Sequence, residues 1–103
     1  MVVDERPTGW GTLDGKGFLR RLEQLIEFAP DAVMTCAAVH QIADNGSAAG
    51  FQVSGTLPGG GAFGLAFEAV AFVDNGRLIR LELLPEDQVD EARRRLASAT
   101  DAD

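Results

Sequence analysis

Apolar residues change their period several times along this chain, and each change marks an element. Val2 and Val3 open it, but Pro7, Gly9 and Gly11 then break any regular spacing as far as Leu13. Residues 2–13 therefore read as a short strand followed by an irregular loop. From 16 to 29, Phe18, Leu22, Leu25, Ile26 and Ala29 recur at helical spacing, with Arg20, Arg21, Glu23 and Glu27 largely on the other face. This predicts one long amphipathic helix, capped by Asp14 and stopped by Pro30.

The next period is two. Segments 32–42, 48–57, 62–73 and 77–84 read as strands, separated by Asp44-Asn45-Gly46, Pro58-Gly59-Gly60-Gly61 and Asp74-Asn75-Gly76. Those connectors supply the residues that tight hairpins need, so a consecutive antiparallel meander is expected. Pro85 is placed to start a C-terminal helix, with Glu86 and Asp87 in its first turn and Val89, Ala92 and Leu96 on one stripe. The expected result is one α+β domain over 1–97 with a disordered tail at 98–103.

In the third long strand Phe63, Leu65, Phe67, Ala69 and Ala71 share one face, while Ala62, Gly64, Ala66, Val70 and Phe72 share the other. Two apolar faces need a covering layer on each side. The curved sheet itself or a partner chain is expected to supply the second, and a homodimer through the convex face is favoured.

Composition narrows the function classes. The chain has 103 residues and a formal charge of −7, a field that repels a phosphate backbone, so no nucleic-acid partner is expected. Arg93-Arg94-Arg95 reads as a solvated helix end, with Asp90 and Glu91 four residues before Arg94 and Arg95. No apolar run approaches the roughly 20 residues of a membrane span, and the N-terminus lacks the basic and apolar regions of a secretory signal. A cytoplasmic location is expected. Cys36 is the single cysteine and reads as a buried small hydrophobe; no disulfide, metal site or cofactor is expected.

Four short segments carry a family resemblance: Val2-Val3-Asp4-Glu5-Arg6-Pro7, Gly9-Trp10-Gly11-Thr12-Leu13-Asp14-Gly15, Val53-Ser54-Gly55-Thr56 and Val73-Asp74-Asn75-Gly76-Arg77-Leu78-Ile79-Arg80. In these, and in element order over nearly the whole chain, it resembles the SnoaL-like branch of the nuclear-transport-factor-2-like superfamily. The resemblance implies a cone, a curved antiparallel sheet around helices, with an apolar pocket for steroids, polyketides or similar ligands. Members of that branch place about two more helices before the strand that corresponds to Val2-Val3-Asp4. Without them, the pocket is expected to be incomplete and to be closed by the C-terminal helix or by a second subunit.

Isomerases and cyclases of the superfamily use a pocket carboxylate as base. The resemblance puts Asp4 where that base often lies and Glu68 where a second, hydrogen-bond-donating carboxyl lies in the ketosteroid isomerases. A carboxyl in an apolar pocket has a raised pKa, which suits either role. The competing reading makes Asp4 a solvated residue near the terminus and Glu68 a charge at the sheet rim; it is preferred for Asp4 and evenly matched for Glu68. The chain has no tyrosine, so the isomerases' usual tyrosine partner is missing.

His40, the single histidine, shares a strand face by alternation with Met34, Cys36, Ala38 and Ile42. It is either a proton shuttle near Glu68 or a hydrogen-bonded core residue. Trp10, Phe18, Leu22 and Phe72 are the expected ligand-lining residues. The function this favours is a dimeric binder of a small apolar ligand, or a vestigial form without catalysis. The alternatives are a cofactor-free isomerase, cyclase or hydrolase, and a protein association module.

Overall fold

The computed structural model describes residues 1–6 and 9–101, with side chains described through Ser98. Pro7, expected to interrupt the first segment, and the tail end at 102–103 lie outside the described residues. In chain order the elements are β1 (Val2–Asp4), β2 (Gly11–Leu13), α1 (Gly15–Phe28), β3 (Val33–Ala43), β4 (Gly46–Thr56), β5 (Ala62–Asp74), β6 (Arg77–Pro85) and α2 (Val89–Asp101). They form an α+β fold: one six-stranded sheet, in the order β2-β1-β6-β5-β4-β3, and two helices.

The meander β3 to β6 is antiparallel throughout, as the turn residues predict. Asn75 and Gly76 take φ of 51° and 73°, the left-handed values of a tight hairpin. Gly46, at φ 154°, lies so close to β5 that a Cβ would come within 1.9 Å of the Ala71 carbonyl oxygen.

The sheet is mixed rather than wholly antiparallel, because β1 pairs in parallel with β6. The Glu5 amide donates to the Leu83 carbonyl at 2.8 Å and the Leu81 amide to that of Met1 at 2.9 Å. A parallel neighbour requires a long crossover, and α1 with the meander provides it. Within the expected loop, residues 11–13 instead form β2, paired antiparallel with β1. Three residues are too few to show a period, which hid this strand from the pattern. β6 runs on through Pro85, so α2 starts at Val89 and not at Pro85.

Register assigns every strand residue to a face. Gly50, Glu68 and Leu84 lie side by side on one face; Ala49, Ala69, Leu83 and Asp4 lie on the other. α2 covers the first, burying Ala92 and Leu96 against Ala48, Val70, Phe72 and Leu84. α1 lies over the second, where Phe18 and Leu25 pack against a cluster of Val53, Phe67, Ala69 and Leu83. The second layer expected from sheet curvature or a partner is therefore α2 of the same chain.

Two features leave the α1 face open. None of the fourteen residues of α1 is buried, and Ile26, expected on the inward stripe, is 59% exposed. β3 is an edge strand whose register shifts at Ala37 and His40. Such bulges bend a strand and re-aim its side chains. They break the simple alternation: Met34, Cys36, Val39 and Ile42 point to the α1 face, while Ala38 lies on the α2 face. Cys36 is accordingly exposed, not buried.

Candidate functional site

The α1 face is an apolar wall. β4 presents Phe51 and Val53 to it, β5 presents Leu65, Phe67 and Ala69, and β6 presents Leu81 and Leu83. Phe51 and Phe67 stack at 5.8 Å between ring centroids, and Trp10 meets Phe18 of α1 at 6.1 Å with a 60° tilt. Asp14 seats the start of α1 by accepting the Gly17 amide at 2.7 Å. Asp31, just after α1, accepts the Thr56 amide and hydroxyl at 2.9 and 2.6 Å, which ties that end of the helix to β4.

Arg6 joins the two aromatic pairs. Its guanidinium carbon lies 5.2 Å from the Trp10 ring centroid and 5.1 Å from that of Phe67, within cation–π range of both. The guanidinium is fixed by Asp4: Nε donates to Oδ1 at 2.8 Å and Nη2 to Oδ2 at 2.5 Å. The backbone amides of Arg6 and Trp10 donate to the same carboxylate at 3.1 and 3.0 Å. Gly9 passes so close that a Cβ there would lie 2.5 Å from Asp4 Oδ1. Burial pushes the Asp4 carboxyl up, but the Arg6 side chain and the Trp10 and Arg6 amides outweigh it and hold the pKa below its ordinary 3.8. Asp4 is thus neither solvated nor raised in pKa. It is a buried ionised carboxylate that organises the loop.

The other expected acid lies across the sheet. Glu68 is buried on the α2 face, and its Oε2 is 2.7 Å from His40 Nε2. Gly50 makes room for the pair, since a Cβ there would stand 3.0 Å from Glu68 Oε1 and 3.3 Å from His40 Nε2. A carboxylate on one ring nitrogen orients an imidazole, the arrangement of a general-base dyad. Phe72 also faces α2 and is buried beneath it. Trp10, Phe18 and Leu22 belong to the α1 side, with Leu22 half-buried. The expected residues therefore fall into two groups on opposite faces, and Asp4 and Glu68 do not meet.

Beside α2 an open groove of about 920 Å³ is lined by Val3, Phe72, Ile79, Arg80, Glu82 and Arg95, among others. Its arginines are paired with acids. Arg95 pairs with Glu5, Glu82 and Glu91, and Arg80 with Glu82 at 2.5 Å. Arg95 is therefore a tie from α2 to β1 and β6, not a solvated helix end. Hydrogen bonds from Arg94 and Arg95 bring Glu91 down to about 2. Among the described residues no group of three metal-ligating side chains is found, and no helix is long and apolar enough to cross a membrane.

Sequence reasoning passed over Arg6, Phe51 and Phe67. The signal for Arg6 was present, because residues two apart at a strand end share a side and Asp4 needed a cation. Phe67 and Phe51 could be placed on one face, but their stacking depends on the β4–β5 register.

No family model matches the chain, and no curated protein matches it. Among solved structures, it is similar to AclR from Streptomyces galilaeus, described as a putative hydroxylase: 11% identity, TM-score 0.66, over 89% of this chain and 73% of that one. A de novo designed protein with a curved β-sheet is similar at 16% identity and TM-score 0.45, over 90% of this chain and 70% of that one. The likeness to AclR shows the fold.

Proposed function

We propose that this chain binds a small apolar ligand between α1 and the sheet, as a member of the nuclear-transport-factor-2-like superfamily in its SnoaL-like branch. One observation carries the reading. An amphipathic helix of fourteen residues lies over an apolar sheet face without burying any residue of its own. A helix that served only to close a core would bury its stripe. Here Phe18 and Leu25 touch the wall, whose centre at Val53, Phe67, Ala69 and Leu83 is buried, while Leu65, Met34 and Val39 on the same face and Ile26 of α1 stay exposed, which supports a site that a ligand completes. The fold shared with AclR is compatible with such a site. Binding is favoured over proton transfer because Asp4, the carboxylate on this face, is engaged by its own loop.

The alternative of a cofactor-free isomerase, cyclase or hydrolase rests on the His40–Glu68 pair at 2.7 Å. That pair lies on the face opposite the aromatic wall, so a ligand on the wall is out of its reach.

Trp10, the single tryptophan, reports on the site. Titration with 1-ethylnaphthalene should change its fluorescence saturably, and Leu65→Lys, at an exposed position of the same face, should weaken the change while the fold persists by circular dichroism. A linear, non-saturating response in the wild type would refute the proposal.

We propose that a homodimer forms through the β3 edge, in place of the convex face that the strand pattern favoured. β3 contains no Asp, Glu, Lys or Arg, and exposes Met34, Val39 and Ile42 at 62%, 58% and 77%. Edge strands ordinarily carry charges that block pairing. In a chain of charge −7, an uncharged apolar edge is where a second copy can approach without repulsion.

A further inference from the structure

We infer that the apolar site is completed by a second copy of this chain: paired along β3, the partner supplies part of the site's floor, and ligand and partner bind together. This rests on the ligand-binding reading above and adds the partner's contribution to that site.

The accessible part of the α1 face lies to one side of the sheet. Val53, Phe67, Ala69 and Leu83 are buried at its centre, whereas Met34, Val39 and Ile42 on the same face of β3 are exposed. Ile26 and Phe28, also exposed, stand at the end of α1 that leads into β3. The other face of β3 is different in kind: Thr35 and Gln41 are exposed there, and both are polar. An edge strand wet on both faces would be polar on both. Only the α1 face of β3 calls for a cover.

β3 is also the long edge of the sheet. At the opposite side the sheet ends on β2, with three residues against eleven in β3. Between Asp31 and Glu68 the one Asp, Glu, Lys or Arg is Asp44, in the turn after β3. The half of the sheet nearest this edge is therefore free of charge, in a chain that carries −7. Two copies of such a chain repel each other least where the charge is absent, and an acidic or basic partner finds no complement there. The occupant of the edge is a second copy.

Symmetry then fixes the geometry. Two identical edges join antiparallel about a two-fold axis perpendicular to the sheet, so both α1 faces look the same way. Pairing satisfies backbone N–H and C=O groups and leaves the side chains standing off the sheet. The row Met34, Cys36, Val39 and Ile42 of one copy lies beside the same row of its partner, about 5 Å away across the strand spacing, and the pairing covers neither. The result is an apolar floor two strands wide, flanked on each side by the α1 of one copy. In a single chain a ligand on this row would lie at an open edge, half in water; in the dimer it is enclosed between two helices, as ligand sites require.

A site that needs both copies makes ligand and dimer stabilise each other. Sedimentation equilibrium of the wild type with and without 1-ethylnaphthalene reads this: at about ten times its own dissociation constant the probe should tighten the dimer about ten-fold. The double variant Thr35→Lys/Gln41→Lys charges the β3 edge from the α2 face and leaves every side chain of the apolar floor in place. It should be monomeric, keep its circular dichroism and bind the probe at least about ten-fold more weakly. A monomeric variant that binds as tightly as the wild type overturns the shared site and leaves a site within one chain standing. Saturable binding by the wild type with no change in its dimer constant does the same. A variant that stays dimeric overturns β3 as the interface. Absence of saturable binding by the wild type overturns the underlying ligand site itself. Should the variant fail to fold, the wild-type measurement alone decides.

Discussion

Arg6 Nη2 lies 2.5 Å from Asp4 Oδ2 at the end of β1, and this pair converts an irregular loop into a fixed feature of the sheet edge. The Asp4 side chain is fully buried and that of Arg6 is 16% exposed. Removing one member strands the other. Asp4→Ala is predicted to destabilise the fold by about 3 kcal/mol, the usual cost of breaking a buried pair from one side. Asp4→Asn, which keeps some of the acceptors, should cost less. Urea unfolding at neutral pH measures both, and a loss under about 1 kcal/mol for Asp4→Ala would contradict the assigned role.

The same contact fixes a pH dependence. A carboxyl whose pKa is lower folded than unfolded contributes fully above its unfolded value of about 3.9 and loses that contribution as pH falls through the folded value. Asp4 is held below 3.8, so its share of stability should be constant from pH 7 down to about 5 and disappear below about 4. Urea midpoints across that range should fall more steeply for the wild type than for Asp4→Asn. Parallel curves would remove Asp4 as a contributor.

Gly46 and Gly59 offer a contrast within hairpin connections. A Cβ on Gly46 would meet the Ala71 carbonyl oxygen at 1.9 Å, while nothing lies within 4 Å of one on Gly59. Gly46→Ala should destabilise by more than about 2 kcal/mol and Gly59→Ala by less than about 0.5 kcal/mol. Thermal melts of the two variants compare them directly.

The β3 edge predicts self-association. Sedimentation of the wild type should show a dimer, and Val39→Lys, which places a charge on each copy at that edge, should shift it to monomer without loss of fold. A monomeric wild type at micromolar concentration rejects the dimer.

Much of the fold was legible because its elements announce themselves locally. The α1 stripe, the Asp14 cap, the Asn75-Gly76 turn and the four long strands need only nearby residues. The parallel pairing of β1 with β6 was not legible, since it joins residues such as Val2 and Leu81 across most of the chain. Neither was the separation of Asp4 from Glu68. Which face each occupies follows from the registers of β1 with β6 and of β5 with β6. A place near Glu68 was one of two readings open for His40, and its face was obscured by the two bulges in β3, each of which shifts the alternation by one residue. Arg95 was read from its helix alone, whereas Glu5 and Glu82 reach it from two strands.

In the proposed function the α1 face, and not the α2 face, holds an apolar ligand. Amide chemical-shift mapping with 1-ethylnaphthalene tests it most directly, because the two faces carry different residues of the same strands. Saturable shifts should gather at Phe18, Leu25, Phe51 and Phe67, with Val70, Leu84, Ala92 and Leu96 unchanged. Shifts confined to the α2 side, or small shifts spread over the whole chain, would contradict it.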